Sequence, residues 1–97
     1  MSKIRRKPQV IWDEVDGVMV LCHTDSAEFF ELNSTGAVIW SVCDGRTTDE
    51  VVNQLREAYP EKERQRLAAD VRSLIRSLEE AGLVEIQSNG ATKSTTT

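Results

Sequence analysis

Residues 29–40 (FFELNSTGAVIW) constrain the fold most, because a strand pattern changes into a helix pattern within this stretch. Up to Leu32 the stretch resembles the end of a β-strand, and from Val38 onward the apolar residues recur at helical spacing. The intervening polar residues 33–35 (Asn, Ser, Thr) can each cap a helix by accepting a hydrogen bond from a free backbone N–H. We therefore expect a strand that leads almost directly into a buried helix, with strands before this boundary and mostly helices after it.

The residues before this boundary predict three antiparallel strands. Residues 9–15 are rich in β-formers, and residues 18–23 (VMVLCH) form an apolar run of strand length. Asp16 and Gly17 form a strong two-residue turn signal, and residues 24–26 form a second polar turn. Residues 27–32 are the third predicted strand. Because the turns are short, neighbouring strands should pair as a meander.

The residues after the boundary predict three helices. The first spans about residues 34–43, and the second opens at Thr47, whose spacing to Glu50 is that of a capping box. The third spans about residues 61–81, and residues 83–86 add a short strand. The predicted core stripe of the third helix consists of Leu67, Val71, Leu74 and Leu78. A second, semi-apolar strip beside that stripe is formed by Arg64, Ala68, Arg72 and Ile75.

Charge divides the chain into a predicted basic tail and an acidic body. Residues 1–8 hold four of the twelve Lys and Arg residues and no acid, which leaves eight basic and sixteen acidic residues in the remainder. We expect a disordered tail over 1–8, one domain over 9–87 and a disordered polar tail over 88–97. No apolar run has the length of a membrane span and no signal-peptide core follows the basic start. The predicted location is the cytoplasm, where Cys22 and Cys43 are buried thiols.

The sequence contains no recognisable catalytic or metal-binding constellation. His23 is the only histidine, and the two cysteines lie in unrelated contexts. The residue types therefore predict a protein that is not an enzyme and holds neither a metal nor a cofactor.

A peptide-binding module is the first of two binding functions that fit. A three-stranded meander has edges with unpaired backbone groups, to which a peptide can add as a further strand. The third strand and the Ile75 strip of the third helix are the predicted walls of the cleft. The alternative is that Phe29, Phe30 and Ile75 are ordinary core residues.

DNA binding by a winged helix-turn-helix is the second function. Four arginines lie on the longest predicted helix: Arg64, Arg66, Arg72 and Arg76. The same helix carries five acidic residues, which makes a poor surface for phosphates. We therefore expect no nucleic-acid partner.

Four short motifs, in their order along the chain, resemble the PqqD-like family. They are residues 31–40 (ELNSTGAVIW), the Asp-Gly pair at 44–45, the Asp-Val pair at 70–71 and the Gly-Leu pair at 82–83. The resemblance covers about residues 9–86. It implies a winged-helix-like α+β fold, with a three-stranded antiparallel sheet followed by three helices.

The resemblance also implies a function and a site. Members of this family recognise the leader segment of ribosomally made precursor peptides, bind it as an added strand between the third strand and third helix, and present it to a modifying enzyme. The enzyme is a radical SAM enzyme in pyrroloquinoline quinone synthesis and a leader peptidase in lasso-peptide synthesis; residues 24–33 look more like the lasso-type members. The implied peptide-binding residues are Ala27, Glu28, Phe29, Phe30, Glu31, Leu32, Arg64, Ala68, Val71, Arg72 and Ile75.

Overall fold

The computed structural model describes residues 2–88, which form five strands and three helices in two antiparallel sheets. The elements are β1 (Ser2–Arg6), β2 (Val10–Val15), β3 (Val18–His23), β4 (Glu28–Leu32), α1 (Ser34–Val42), α2 (Thr48–Ala58), α3 (Arg64–Glu80) and β5 (Val84–Ser88). One sheet has the strand order β2-β3-β4, and the other pairs β1 with β5. The predicted three-stranded sheet followed by three helices is confirmed; the two-stranded sheet is an addition.

The three-stranded sheet is a meander whose register is set by its first turn. Asp16 and Gly17 both have positive φ, 53° and 80°, which matches the two-residue turn that the Asp-Gly pair predicts. Val15 therefore pairs with Val18, and the register continues to Val10 opposite His23. Side chains alternate between the two faces of this sheet, and the helices cover only one of them.

The core lies between the covered face of the meander, the three helices and the two-stranded sheet. Its buried residues are Ile4, Val10, Leu21, Leu32, Ile39, Trp40, Cys43, Val51, Val52, Leu55, Leu67, Val71, Ile75, Leu78, Leu83 and Val84. The predicted N-caps of α1 and α2 are both present. The Asn33 side chain accepts from the Gly36 N–H at 2.8 Å, and Thr47 and Glu50 form the reciprocal capping box. The strand-to-helix boundary therefore needs only one residue, Asn33.

The expectation of a disordered tail over residues 1–8 is wrong for residues 2–8, and residue 1 lies outside the described residues. Ile4, the only large apolar residue of this basic segment apart from Met1, is 1% exposed and pairs with Ile86 across the β1–β5 ladder. Its backbone N–H also donates to the Arg46 carbonyl at 2.8 Å, and its carbonyl accepts from Gly45 N at 2.7 Å. The disorder prediction followed from the charged residues of this segment. The segment is ordered because one isoleucine is buried and the whole strand pairs with β5. The predicted polar tail lies outside the described residues from position 89 onward; Ser88 itself is the last residue of β5.

The predicted phase of α3 is also wrong at one position. Leu67, Val71, Ile75 and Leu78 are the buried residues of the helix, and Leu74 is only half-buried. At ~100° per residue, the stripe through Leu74 spans about 60° and the stripe through Ile75 about 80°. Because the two arcs have similar widths, hydrophobic periodicity alone does not determine which stripe is buried. Tertiary packing decides between them: Ile75 is buried in the core, and Arg64, on the same side of α3, donates to Asn53 of α2.

Candidate functional site

The outer edge of β4 is the open edge of the meander on the side of α3. In the strand order β2-β3-β4, β4 pairs with β3 through one edge, and no strand among residues 2–88 pairs with the other. Such an edge presents backbone N–H and C=O groups that can pair with an added strand. This edge can therefore accept an extended peptide. The outer edge of β2 is also unpaired within residues 2–88, and the surroundings of the two edges distinguish them.

The hairpin turn identifies the backbone groups that face this open edge. A two-residue turn makes Val15 and Val18 a hydrogen-bonded pair, after which bonded and non-bonded pairs alternate. In β3, residues 18, 20 and 22 thus bond to β2, and residues 19, 21 and 23 bond to β4. Leu21 is opposite Phe30, so the backbone groups of Phe30 are used within the sheet. Those of Phe29 and Glu31 point to the open edge.

A cleft of about 350 Å³ adjoins this edge, between the end of β4, the start of α1 and one side of α3. Apolar side chains of Leu32, Ile39 and Leu74 line it. Gly36 brings α1 close to β4, because a Cβ at that position would lie 3.2 Å from Leu32 Cβ. The remaining lining residues are polar: Glu31, Asn33, Thr35, Asp70, Ser73 and Ser77. The cleft thus combines apolar contacts with a polar rim, as small peptide-binding sites do.

The charge of the cleft is negative. Glu31 and Asp70 are the charged residues that line it. Within residues 2–88 the recorded ion pairs are Arg6 with Asp44 and Lys7 with Glu85. Asp70 therefore has no protein counterion within residues 2–88 and is available to a ligand, whereas strand alternation directs the Glu31 side chain to the uncovered face of the meander.

The structure divides the predicted β4 residues between two faces. Leu32 is buried and Phe30 is half-buried against the core, whereas Phe29 is 70% exposed on the opposite face. Glu31 borders the cleft from the edge of β4, and strand alternation places its side chain on the same face as Phe29. Ala27 lies in the turn before β4 with φ 59°, so its placement in the strand is wrong. The strand prediction missed this left-handed residue because alanine carries no turn signal.

The predicted α3 residues do not line this cleft. Val71 and Ile75 are core residues, Ile75 being 6% exposed, and Ala68 packs against that core. Arg64 and Arg72 are exposed, and Arg64 donates to Asn53 of α2 at 2.7 Å. Ile75 is thus a core residue and not, as predicted, an exposed residue on the wall of the cleft.

The residues that sequence reasoning missed form one strip of α3. Asp70, Ser73, Leu74 and Ser77 follow each other at spacings of three, one and three residues, which places them on one side of the helix. Three small or short polar residues around one leucine leave room for a ligand next to an apolar contact. This pattern of short polar residues around a leucine could have identified the strip from the sequence. The assignment of Leu74 to the core stripe concealed it.

The sequence matches the family described as coenzyme PQQ synthesis protein D (PqqD) over residues 18–84, which is more than half of the chain. The chain belongs to the PqqD family. The matched region contains β3, β4, all three helices and the start of β5, so it includes both walls of the cleft. Among curated proteins, no sequence match to this PqqD-family chain was found.

Two solved structures are similar to this PqqD-family protein. The first is TbiB1 in complex with the TbiA(beta) leader peptide, with a TM-score of 0.75 and 27% identity, covering 84% of this chain and 94% of that chain. The second is a lasso peptide synthetase B1 complexed with the leader peptide, with a TM-score of 0.72 and 30% identity, covering 86% and 98%. The similarity thus extends over nearly the full length of both relatives.

Two further properties bear on the site. Within residues 2–88, no three His, Cys, Asp or Glu side chains come together as metal ligands would. No helix in the same range is long and apolar enough to cross a membrane.

Proposed function

We propose that this protein binds the leader segment of a ribosomally synthesised precursor peptide and delivers the peptide to a processing enzyme, without itself catalysing a reaction. The observation that carries the proposal is the open β4 edge beside a cleft with an apolar floor and a polar rim, in a PqqD-family chain. The two similar structures, both named as leader-peptide complexes, support the ligand class. One of them is a lasso peptide synthetase component, which favours a leader peptidase over a radical SAM enzyme as the partner.

The leader pairs with the backbone of Phe29 and Glu31 and becomes a fourth strand of the meander. Each backbone bond is insensitive to side-chain identity, so these bonds supply affinity for any extended segment. Specificity arises where alternate leader side chains enter the cleft against Leu74 and the end of β4. The unpaired carboxylate of Asp70 disfavours acidic leader residues at this point.

A pair of tryptophan substitutions on the two sides of α3 tests this placement. Ser77 and Arg72 are both exposed, but Ser77 lines the cleft and Arg72 lies on the other side of the helix. The probe is a fluorescein-labelled synthetic leader of the precursor encoded beside this chain's gene, and its anisotropy is measured during titration. Ser77→Trp should fill the cleft and weaken binding about tenfold or more, whereas Arg72→Trp should stay within about twofold.

The control establishes which part of the proposal fails if the result differs. Leader binding is refuted if the unmodified protein does not bind the leader at protein concentrations up to about 100 µM. If Arg72→Trp blocks binding and Ser77→Trp does not, the leader lies on the side of α3 that the sequence pattern first indicated. Circular dichroism of both variants checks that each helix is intact.

A further inference from the structure

The uncovered face of the meander carries an apolar patch that the leader site does not use. Ile11 is 60% exposed, Val15 53% and Phe29 70%. Ile11, Cys22 and Phe29 are directly opposite one another in the register of the three strands. They lie in a shallow depression of about 420 Å³ that is also lined by Trp12, Asp13, Val15 and Val20. We call its residues Ile11, Val15, Val20, Cys22 and Phe29 the outer patch. Contiguous exposed apolar surface of this kind marks interaction sites in soluble proteins.

The opposite face shows that the outer patch is not part of the core. Val10, Leu21 and Leu32 point to the helices and are buried, and Met19 and Phe30 pack against them. Strand alternation then sends their neighbours outward, where no element within residues 2–88 covers them. Residues 89–97 (NGATKSTTT) are unsuited to cover an apolar surface, because alanine is their only apolar side chain.

The meander itself contributes only acidic charges around the outer patch, and one cation from β1, Arg6, lies 4.7 Å from the ring centroid of Trp12 at its border. Residues 9–33, which contain the whole meander, include no Lys or Arg. Asp13 and Glu31 share the face of the outer patch, and Asp16 and Asp25 lie in the turns at the two ends of the meander. A second copy of this chain placed face to face would oppose acidic residues with acidic residues, which is costly where the interface excludes water. An anionic lipid surface is disfavoured for the same reason.

We propose that the outer patch is the docking surface for a protein whose own apolar patch is bordered by Lys and Arg side chains. The inference rests on the proposed function in one respect: it identifies this partner as the enzyme that processes the bound leader peptide. The outer patch and the leader site lie on opposite faces and share only β4. The enzyme therefore docks while the leader occupies the cleft, which brings the precursor and the enzyme together in one complex.

The test uses β2, the strand farthest from the leader site. Ile11→Thr with Val15→Thr removes apolar contact but keeps β-branched side chains, so the strand is retained. Ile86→Thr is the matched control, because Ile86 is exposed on β5 in the other sheet. Asp13→Lys, on the same face as Ile11, changes the border charge without touching the apolar residues. All variants are first checked for cooperative unfolding.

The probe is the purified processing enzyme encoded beside this chain, and its affinity is measured by biolayer interferometry with the leader present. The double variant and Asp13→Lys should each weaken enzyme binding about tenfold, while Ile86→Thr stays within about twofold. Raising NaCl from about 50 to about 500 mM should weaken the unmodified complex, because opposite charges at its rim are screened. Leader anisotropy should be unchanged in every variant.

Three outcomes would overturn the docking surface. The first is equal enzyme affinity for the double variant and the unmodified protein. The second is a dimer of the unmodified protein in sedimentation that the double variant converts to monomer, which assigns the patch to a second copy. The third is an enzyme that does not bind the unmodified protein at all. Leader anisotropy is measured separately, so a loss of leader binding by the unmodified protein refutes the proposed function instead.

Discussion

Truncation of Leu74 and of Ile75, adjacent residues of α3, should separate binding from stability. Ile75 is 6% exposed, and Ile→Ala removes three methylene-sized groups, each worth about 0.8 kcal/mol on burial, or about 2.4 kcal/mol together. The cavity left behind adds to this, so the expected loss is about 2–5 kcal/mol in the free energy of unfolding. That is a large fraction of the ~5–15 kcal/mol that holds a domain together. Leu74 is half-buried, so Leu74→Ala should cost about 1–2 kcal/mol.

Binding should follow the opposite order. Leu74 lines the cleft, and the loss of part of its apolar contact with a leader residue should weaken affinity about three- to tenfold. Ile75→Ala should bind within about twofold of the unmodified protein under conditions where it is folded.

Urea unfolding followed by tryptophan fluorescence measures stability, since Trp40 is buried in the core and Trp12 packs edge-on against it with ring centroids 5.4 Å apart. Leader anisotropy measures affinity on the same samples. A stability loss for Leu74→Ala that equals or exceeds that for Ile75→Ala would refute the α3 phase described here. Normal leader binding by Leu74→Ala would refute its place in the leader site.

Two further predictions concern single positions. Ala27→Gly should stabilise the protein by up to about 1 kcal/mol in thermal or urea unfolding, because Ala27 has a φ of 59° that glycine adopts without a Cβ penalty; destabilisation would show that Ala27 makes contacts that outweigh this strain. Burial raises the pKa of the Cys43 thiol to about 11, so at pH 8 a thiol reagent should label the half-buried Cys22 and leave Cys43 unmodified until the protein unfolds. From the unfolded value of 9.0 to the folded value of about 11, stability should fall with rising pH, because the unfolded chain releases a proton that the folded chain retains. Equal labelling of both cysteines in the folded protein would contradict the burial of Cys43.

Local signals in the sequence determined most of the secondary structure. The Asp16-Gly17 turn, the Thr47–Glu50 capping box and the polar cap before α1 each depend on residues within four positions of one another, and all three appear as predicted. The family was also identifiable from the order of four short motifs, three of which lie at boundaries between elements. The sequence pattern further indicated that the third strand and third helix form the walls of a cleft.

Tertiary packing decided the details that nearby residues could not. Residues 2–6 become a strand because β5, about eighty positions away, supplies the pairing partner and the core accepts Ile4. The side of α3 that faces the cleft depends on where α2 packs, because two helical stripes of nearly equal apolar character were available in the sequence. The burial of Ile75 and the exposure of Leu74 to the cleft follow from that packing. Hydrophobic periodicity specifies that a helix has an apolar side, but the neighbouring elements determine which edge of that side remains open.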